Sequence, residues 1–303
     1  YMDIRRIEEF TDQWIDTAGK LCRLKSVSYS SIGESVIPVK DGKAMAFPLA
    51  WYEDVPMLVQ DTKAYTGFEY TGVHDSNTFS FYKIMWMEKN ILSEPPDYWL
   101  PVCSYFIYRK TGNACWDTSQ AGRSYMYDIH KKAWIREVTE RYGIQVPERI
   151  GLIGEGCGEK DGITYSLGGH DHYVGLFAVY QLSGGKELFY DFPWGSSSVL
   201  AAVMDDSSRR LRGKATYDPK GGCLVTGFKK DEYVVNRSMD YYGRILHCIK
   251  SWRSNEKTGS FYDRRNREIG SPEKKQIMFI RLQQRIWQIL GTCDGNQSYG
   301  NKR

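Results

Sequence analysis

Apolar positions recur at helical spacing near the start of the chain. Ile4, Ile7, Phe10 and Trp14 fall on one stripe, which predicts a helix over Ile4–Trp14. Ser35–Val39 predicts a strand, stopped by the turn signal Lys40-Asp41-Gly42. Pro95-Pro96 predicts a loop. Over Ser124–Tyr142, Tyr127, Trp134, Ile135 and Val138 recur at helical spacing between charges, and Gly143 sits at the place of a C-cap. The pattern predicts an interior helix. From Arg149 the apolar runs shorten and glycine-rich turns separate them. Ile150–Ile153, Ile163–Leu167, Tyr173–Tyr180 and Leu188–Tyr190 predict strands, followed by Leu224–Phe228, Glu232–Val235 and Ile245–Ile249. Ser271-Pro272-Glu273 opens a terminal helix that runs to Leu290 and stops at Gly291. The polar tail Thr292–Arg303 predicts fraying. The expected class is α+β: mostly antiparallel sheets with one long crossover helix and a terminal helix.

Composition narrows the class. With 303 residues, 41% hydrophobic and 26% charged, the chain buries a full core and is not wholesale disordered. No apolar run approaches the roughly 20 residues of a membrane span, and no signal-peptide layout opens the chain, so no membrane partner is expected. A net charge of +4 permits a polyanionic partner without requiring one. Seven cysteines, an odd number with no C-x-x-C, read as reduced intracellular thiols rather than a zinc site. Aromatic residues make up 14%, which suits both β-structure and stacking on a flat ligand.

Four stretches carry candidate chemistry, each with a bland alternative. Leu152–Gly158 sends Glu155 out of an apolar strand between glycines, or is a solvated turn. Leu176–Tyr180 offers an aromatic for a purine, or is core. Asp231-Glu232 opens one strand and Lys250 closes the next, placing an acid for a divalent cation and a lysine for a phosphate, or two ordinary strand ends. Lys63 follows a short apolar strand and precedes Gly67, as a nucleophilic lysine does, or is simply solvated. A further cluster, Gly169-His170-Asp171-His172, places two histidines at i and i+2. That spacing suits a metal-dependent hydrolase, but no third ligand can be placed, and a polar turn is the simpler reading.

The order of these pieces resembles the covalent nucleotidyltransferase superfamily of ATP-dependent ligases and capping enzymes. It is most similar to its RNA ligase branch, which includes phage nick-sealing and RNA-editing ligases. The local matches are Tyr108–Gly112, Tyr127-Asp128-Ile129, Ile153–Gly158, Phe177–Tyr180 and Arg244–Lys257. The resemblance implies a ligase adenylation domain over 56–255, an N-terminal extension over 1–55 and a helical segment over 256–303. It implies ATP and Mg²⁺ as cofactors, RNA as partner and a cytoplasmic setting, in a host cell if the chain is phage-encoded; a monomer is expected. Lys63 would take up AMP, Arg109 or Lys110 would hold a phosphate or the ribose, and Glu155 would contact the ribose. Tyr180 would stack on adenine, Glu232 or Asp231 would bind Mg²⁺, and Lys250 would hold the α-phosphate. Lys63 stands one step too far from Gly67, and a competing alignment over Gly72–Asn77 puts glycine at the lysine position, which would make the chain an inactive relative. A kelch-like propeller is the alternative binding module, suggested by Ile163–Gly169 and Tyr127–Trp134.

Overall fold

A computed structural model describes residues 2–56, 66–184, 189–192, 198–205, 222–229, 232–239, 261–262 and 268–270. The chain forms two compact units, Tyr1–Met239 and Asp240–Arg303. The first unit begins with α1 (Ile4–Leu21), β1 (Ser26–Ser31), β2 (Val36–Lys40), β3 (Lys43–Ala44), α2 (Phe68–Thr71), α3 (Ser80–Asn90), β4 (Tyr98–Pro101) and α4 (Val102–Thr111). It continues with β5 (Trp116–Asp117), α5 (Thr118–Ala121), β6 (Tyr127–Asp128), β7 (Ala133–Trp134), α6 (Arg136–Thr139), β8 (Ile150–Gly151), β9 (Gly156–Lys160) and β10 (Ile163–His170). It ends with α7 (Asp171–Leu182), β11 (Phe189–Phe192), β12 (Ser198–Asp205), β13 (Gly222–Thr226) and β14 (Glu232–Met239). The described residues of the second unit include β15 (Phe261–Tyr262) and β16 (Glu268–Gly270), paired antiparallel.

The sheet that organises the first unit has the order β1-β10-β9. β1 and β10 run parallel, whereas β9 and β10 form a hairpin through Asp161-Gly162. Both turn residues have positive φ, as a tight hairpin requires. The sheet is therefore mixed, where mostly antiparallel sheets are expected from the sequence. Helix α4 packs across all three strands. An irregularity interrupts the parallel pair: Tyr29 faces Leu167 and Ser30 faces Gly169, leaving Gly168 as an extra residue. A Cβ at Gly168 would lie 1.9 Å from the Tyr29 carbonyl oxygen, so only glycine fits there. The second sheet, β11-β12-β14-β13, is antiparallel. Trp99 and Trp116 fill the core, and the Trp116 indole N–H donates to the Trp99 carbonyl at 2.8 Å, so the large rings are buried without an orphaned donor.

Several sequence expectations match these elements: α1, β2, β10 and β13 lie where they were read. Two do not. Ser124–Tyr142 is the β6–β7 hairpin followed by the single-turn helix α6. Tyr125 and Lys132 have positive φ, a conformation no helix interior accommodates. The Asp128 carboxylate accepts from the His130 and Lys131 N–H groups, both at 2.9 Å, and turns the chain. Tyr173–Tyr180 is not a strand but the body of α7, with Tyr173, Leu176 and Tyr180 buried along one face. The expected strand Ile245–Ile249 and the terminal helix 271–290 lie outside the described residues. Among the described residues no helix is long and apolar enough to cross a membrane.

Candidate active site

β1 and β10 end side by side, with Ser31 opposite His170. In open α/β sheets the C-terminal ends of parallel strands border the ligand crevice. The chain leaves β1 through Ile32-Gly33-Glu34 and leaves β10 directly into α7 at Asp171. The two exits close tightly: a Cβ on Gly33 would sit 2.4 Å from Cδ2 of His170. Next to it, Glu34 adopts φ +60°, costly for a non-glycine residue and characteristic of functional sites. Its buried carboxylate pairs with Arg123, whose guanidinium lies 5.1 Å from the centroid of the Phe79 ring.

Helix α5 ties both exits together. Asp117, fully buried at its N-terminus, accepts from the Ser119 and Gln120 N–H groups at 2.9 and 3.0 Å and from the Ser119 hydroxyl. The Ser119 oxygen in turn accepts from the His170 N–H at 2.9 Å. Gly169 has φ +85° and passes so close that a Cβ would meet Ser119 Oγ at 2.8 Å. From the same turn, the Gln120 amide donates to the Ile32 carbonyl at 3.2 Å. Burial holds the Asp117 carboxyl above the usual carboxylate range, although its N–H partners pull the other way.

These supports present two groups of opposite character. His170 is 8% exposed, and burial, reinforced by Arg123, pulls its pKa down to about 3. The ring is neutral at ordinary pH. Asp171 is the exposed partner: its side chain is 49% accessible at the first turn of α7. What results is an exposed carboxylate at a strand end next to an uncharged imidazole, on which the Arg123 of the Glu34–Arg123 pair acts.

The residues singled out for ligation fall elsewhere. Lys63, Lys250 and Asp231 lie outside the described residues. Arg109 donates to Glu8 at 2.8 Å and to the Gly42 carbonyl at 2.9 Å, and Lys110 pairs with Asp12 at 2.6 Å; both tie α4 to α1. Glu155 accepts from the Leu152 N–H at 3.0 Å and meets Arg149 at 3.4 Å. Tyr180 and Glu232 are brought together: the phenol donates to the carboxylate, which also accepts from the Lys229 N–H at 3.1 Å. Tyr180 is 1% exposed, which leaves no open ring face for a purine. The readable signal for the site is the glycine pair followed by His170-Asp171 at the end of an apolar strand, which in sequence alone is equally a polar turn or a metal cluster.

Comparison with known proteins identifies the class of fold. Residues 50–149 match the FGGY family of carbohydrate kinases, N-terminal domain. Over 207 residues the chain is 24% identical to the L-fuculokinase of Escherichia coli (strain K12), covering 61% of this chain and 44% of that protein. Its structure is similar to a ligand-bound xylulose kinase from Lactobacillus acidophilus, with a TM-score of 0.63, 17% identity, and 84% of this chain and 54% of that one covered. It is also similar to the glycerol kinase of Plasmodium falciparum with ADP, with a TM-score of 0.57, 15% identity, and 82% and 53% covered. The fold is that of the carbohydrate kinases, and the chain spans less than half the length of the curated relative it matches.

These findings overturn the nucleotidyltransferase reading. The ligase adenylation fold, the ligase activity, the RNA partner, the inactive-relative alternative and the kelch propeller all fall. Short glycine-acid and lysine-glycine pieces recur in many folds, and one of the family's supposed strands, Phe177–Tyr180, is helical here. The cofactor expectation stands: ATP and Mg²⁺ are what FGGY carbohydrate kinases use. Asp171 fits such a metal, because Mg²⁺ takes one or two carboxylates together with substrate phosphates.

Proposed function

We propose that the chain binds a sugar or polyol and, with ATP and Mg²⁺, transfers a phosphoryl group to one of its hydroxyls, in the cytoplasm. The observation that carries the reading is the exposed Asp171 carboxylate at the end of β10, within a carbohydrate-kinase fold. Transfer to a hydroxyl needs a positioned acceptor for its proton. Asp171 takes that role, since its carboxylate is accessible and its backbone is fixed by the Ser119 bridge to His170. Glu34, buried and held by Arg123, anchors the turn that leaves β1 beside His170 and so keeps the strand end in place. His170, uncharged and buried beneath the acid, excludes water from one side of it. Mg²⁺-ATP, when bound, would supply the phosphoryl group and neutralise the charge that develops on it, leaving Asp171 free as the proton acceptor.

The test is transfer of terminal-phosphate label from ATP to a panel containing fuculose, xylulose and glycerol. Label should reach at least one member. Asp171→Asn should lower the rate by about 10²–10⁴-fold, the usual contribution of a general base. Absence of transfer to every sugar and polyol, or an Asp171→Asn protein as fast as the parent, overturns the proposal.

A further inference from the structure

The β10–α7 junction holds a donor set that the proposed phosphoryl transfer does not use in full. A ring nitrogen of His170, a carboxylate oxygen of Asp171 and a ring nitrogen of His172 all lie within 4.8 Å of one another. His170 is 8% exposed, and its Nδ1 is buried without a hydrogen-bond partner. That nitrogen lies 3.5 Å from Asp171 Oδ1. Two ligands on a tetrahedral ion with bonds of ~2.0 Å stand about 3.3 Å apart, so this pair is already spaced for one metal. The rings of His170 and His172 are 5.2 Å apart between centroids, and His172 is partly exposed on the first turn of α7, so a small change of its rotamer would close the remaining distance.

We propose that His170, Asp171 and His172 form a transition-metal site that takes Zn²⁺ with a fourth position open to solvent or substrate. Two imidazoles and one carboxylate are the donor set of zinc sites with an open position. Mg²⁺ prefers an all-oxygen octahedron, so this set selects against the cation that accompanies ATP. The surrounding charges limit the affinity. The N-terminus of α7 and Arg123 both oppose a cation, but Arg123 is engaged by Glu34. Occupancy ties up the Asp171 carboxylate. On the kinase reading above, on which this consequence rests, Zn²⁺ is a reversible inhibitor that competes for the proton acceptor.

Cobalt is the probe, because Co²⁺ substitutes for Zn²⁺ and reports a low-symmetry site through its visible absorption. Titration of the metal-stripped full chain should give a saturable visible band, which Zn²⁺ abolishes and excess Mg²⁺ leaves intact. His172→Ala should weaken Co²⁺ binding at least tenfold with an unchanged thermal melt, and Asp171→Asn should weaken it as well. A chain with no saturable band, or a His172→Ala protein that binds Co²⁺ as tightly as the parent, overturns the site whether or not the chain phosphorylates sugars. Where transfer activity is measured, Zn²⁺ should inhibit the parent and spare His172→Ala. A parent that binds Co²⁺ yet transfers phosphate unimpeded by Zn²⁺ overturns the inhibitory role.

Discussion

The Ser119 hydroxyl is spent twice, once on the His170 N–H and once on Asp117. Ser119→Ala leaves a buried N–H without its acceptor and removes one donor from a buried carboxylate. The expected cost is about 1–3 kcal/mol in urea unfolding. If the hydroxyl also aims Asp171, kcat falls in that variant while KM holds. Arg123→Met strands the Glu34 carboxylate in the interior and should cost about 3–5 kcal/mol. Pairing it with Glu34→Met should recover much of that loss, a coupling that a double-mutant cycle reads directly. His170 makes stability depend on pH with a definite sign. Its folded pKa of about 3 lies below the unfolded value near 6.5, so the unfolded chain takes the proton first. Stability should therefore fall as pH drops from about 6.5 towards 3, by at most about 1.4 kcal/mol per pH unit. In His170→Gln that slope should flatten when urea midpoints are compared across the same range.

At the scale of elements, backbone proximity decides more than propensity. The β1–β10 pair tolerates no side chain at Gly168, because the obstacle is the Tyr29 carbonyl rather than a movable side chain. Gly168→Ala should cost about 3 kcal/mol or more, at the upper end of overpacking effects, and lower the soluble yield. Gly162→Ala is the matched control. It has φ +73° with open space around the new methyl, so only backbone strain of about 1–2 kcal/mol is expected. Thermal melts of the two variants separate crowding from strain. Helix α7 shows the limit of periodicity. Leu176-Phe177-Ala178-Val179-Tyr180 is apolar on every side, so neither a two-residue nor a 3.6-residue period stands out, and length alone did not exclude a strand. The β6–β7 hairpin is the converse case: a turn at Asp128 and a positive-φ Lys132 bring Tyr127 opposite Trp134, which helical spacing mimics.

Across the whole molecule, local alternation was readable and long-range pairing was not. β2 announces itself by an apolar run ended at an Asp-Gly turn, and β10 by an apolar run leading into Gly-Gly. Nothing in Ser26–Ser31 declares that it lies parallel to a strand some 140 positions later. The site depends on that pairing, because Glu34 follows one strand and Asp171 the other. Arg123 arrives from a third segment, and its tie to Glu34 spans 89 positions. Glu155 and Lys110 stood out by neighbours in sequence, whereas the residues that converge are neighbours only through the sheet.

The supernumerary glycine at position 168 sets the phase of everything after it. Counting by twos from Leu167 would put Gly169 and Asp171 on the inward side; instead Ser31, on the same side as Tyr29, pairs with His170. A strand that took Gly168 into the regular ladder would turn the imidazole outward and the carboxylate inward, whereas removing one residue from the Gly-Gly step would leave both facing as they do. The bulge thus exchanges the facings of two side chains without changing either residue, and a substitution that forced the strand straight would disturb this junction more than the loss of one glycine.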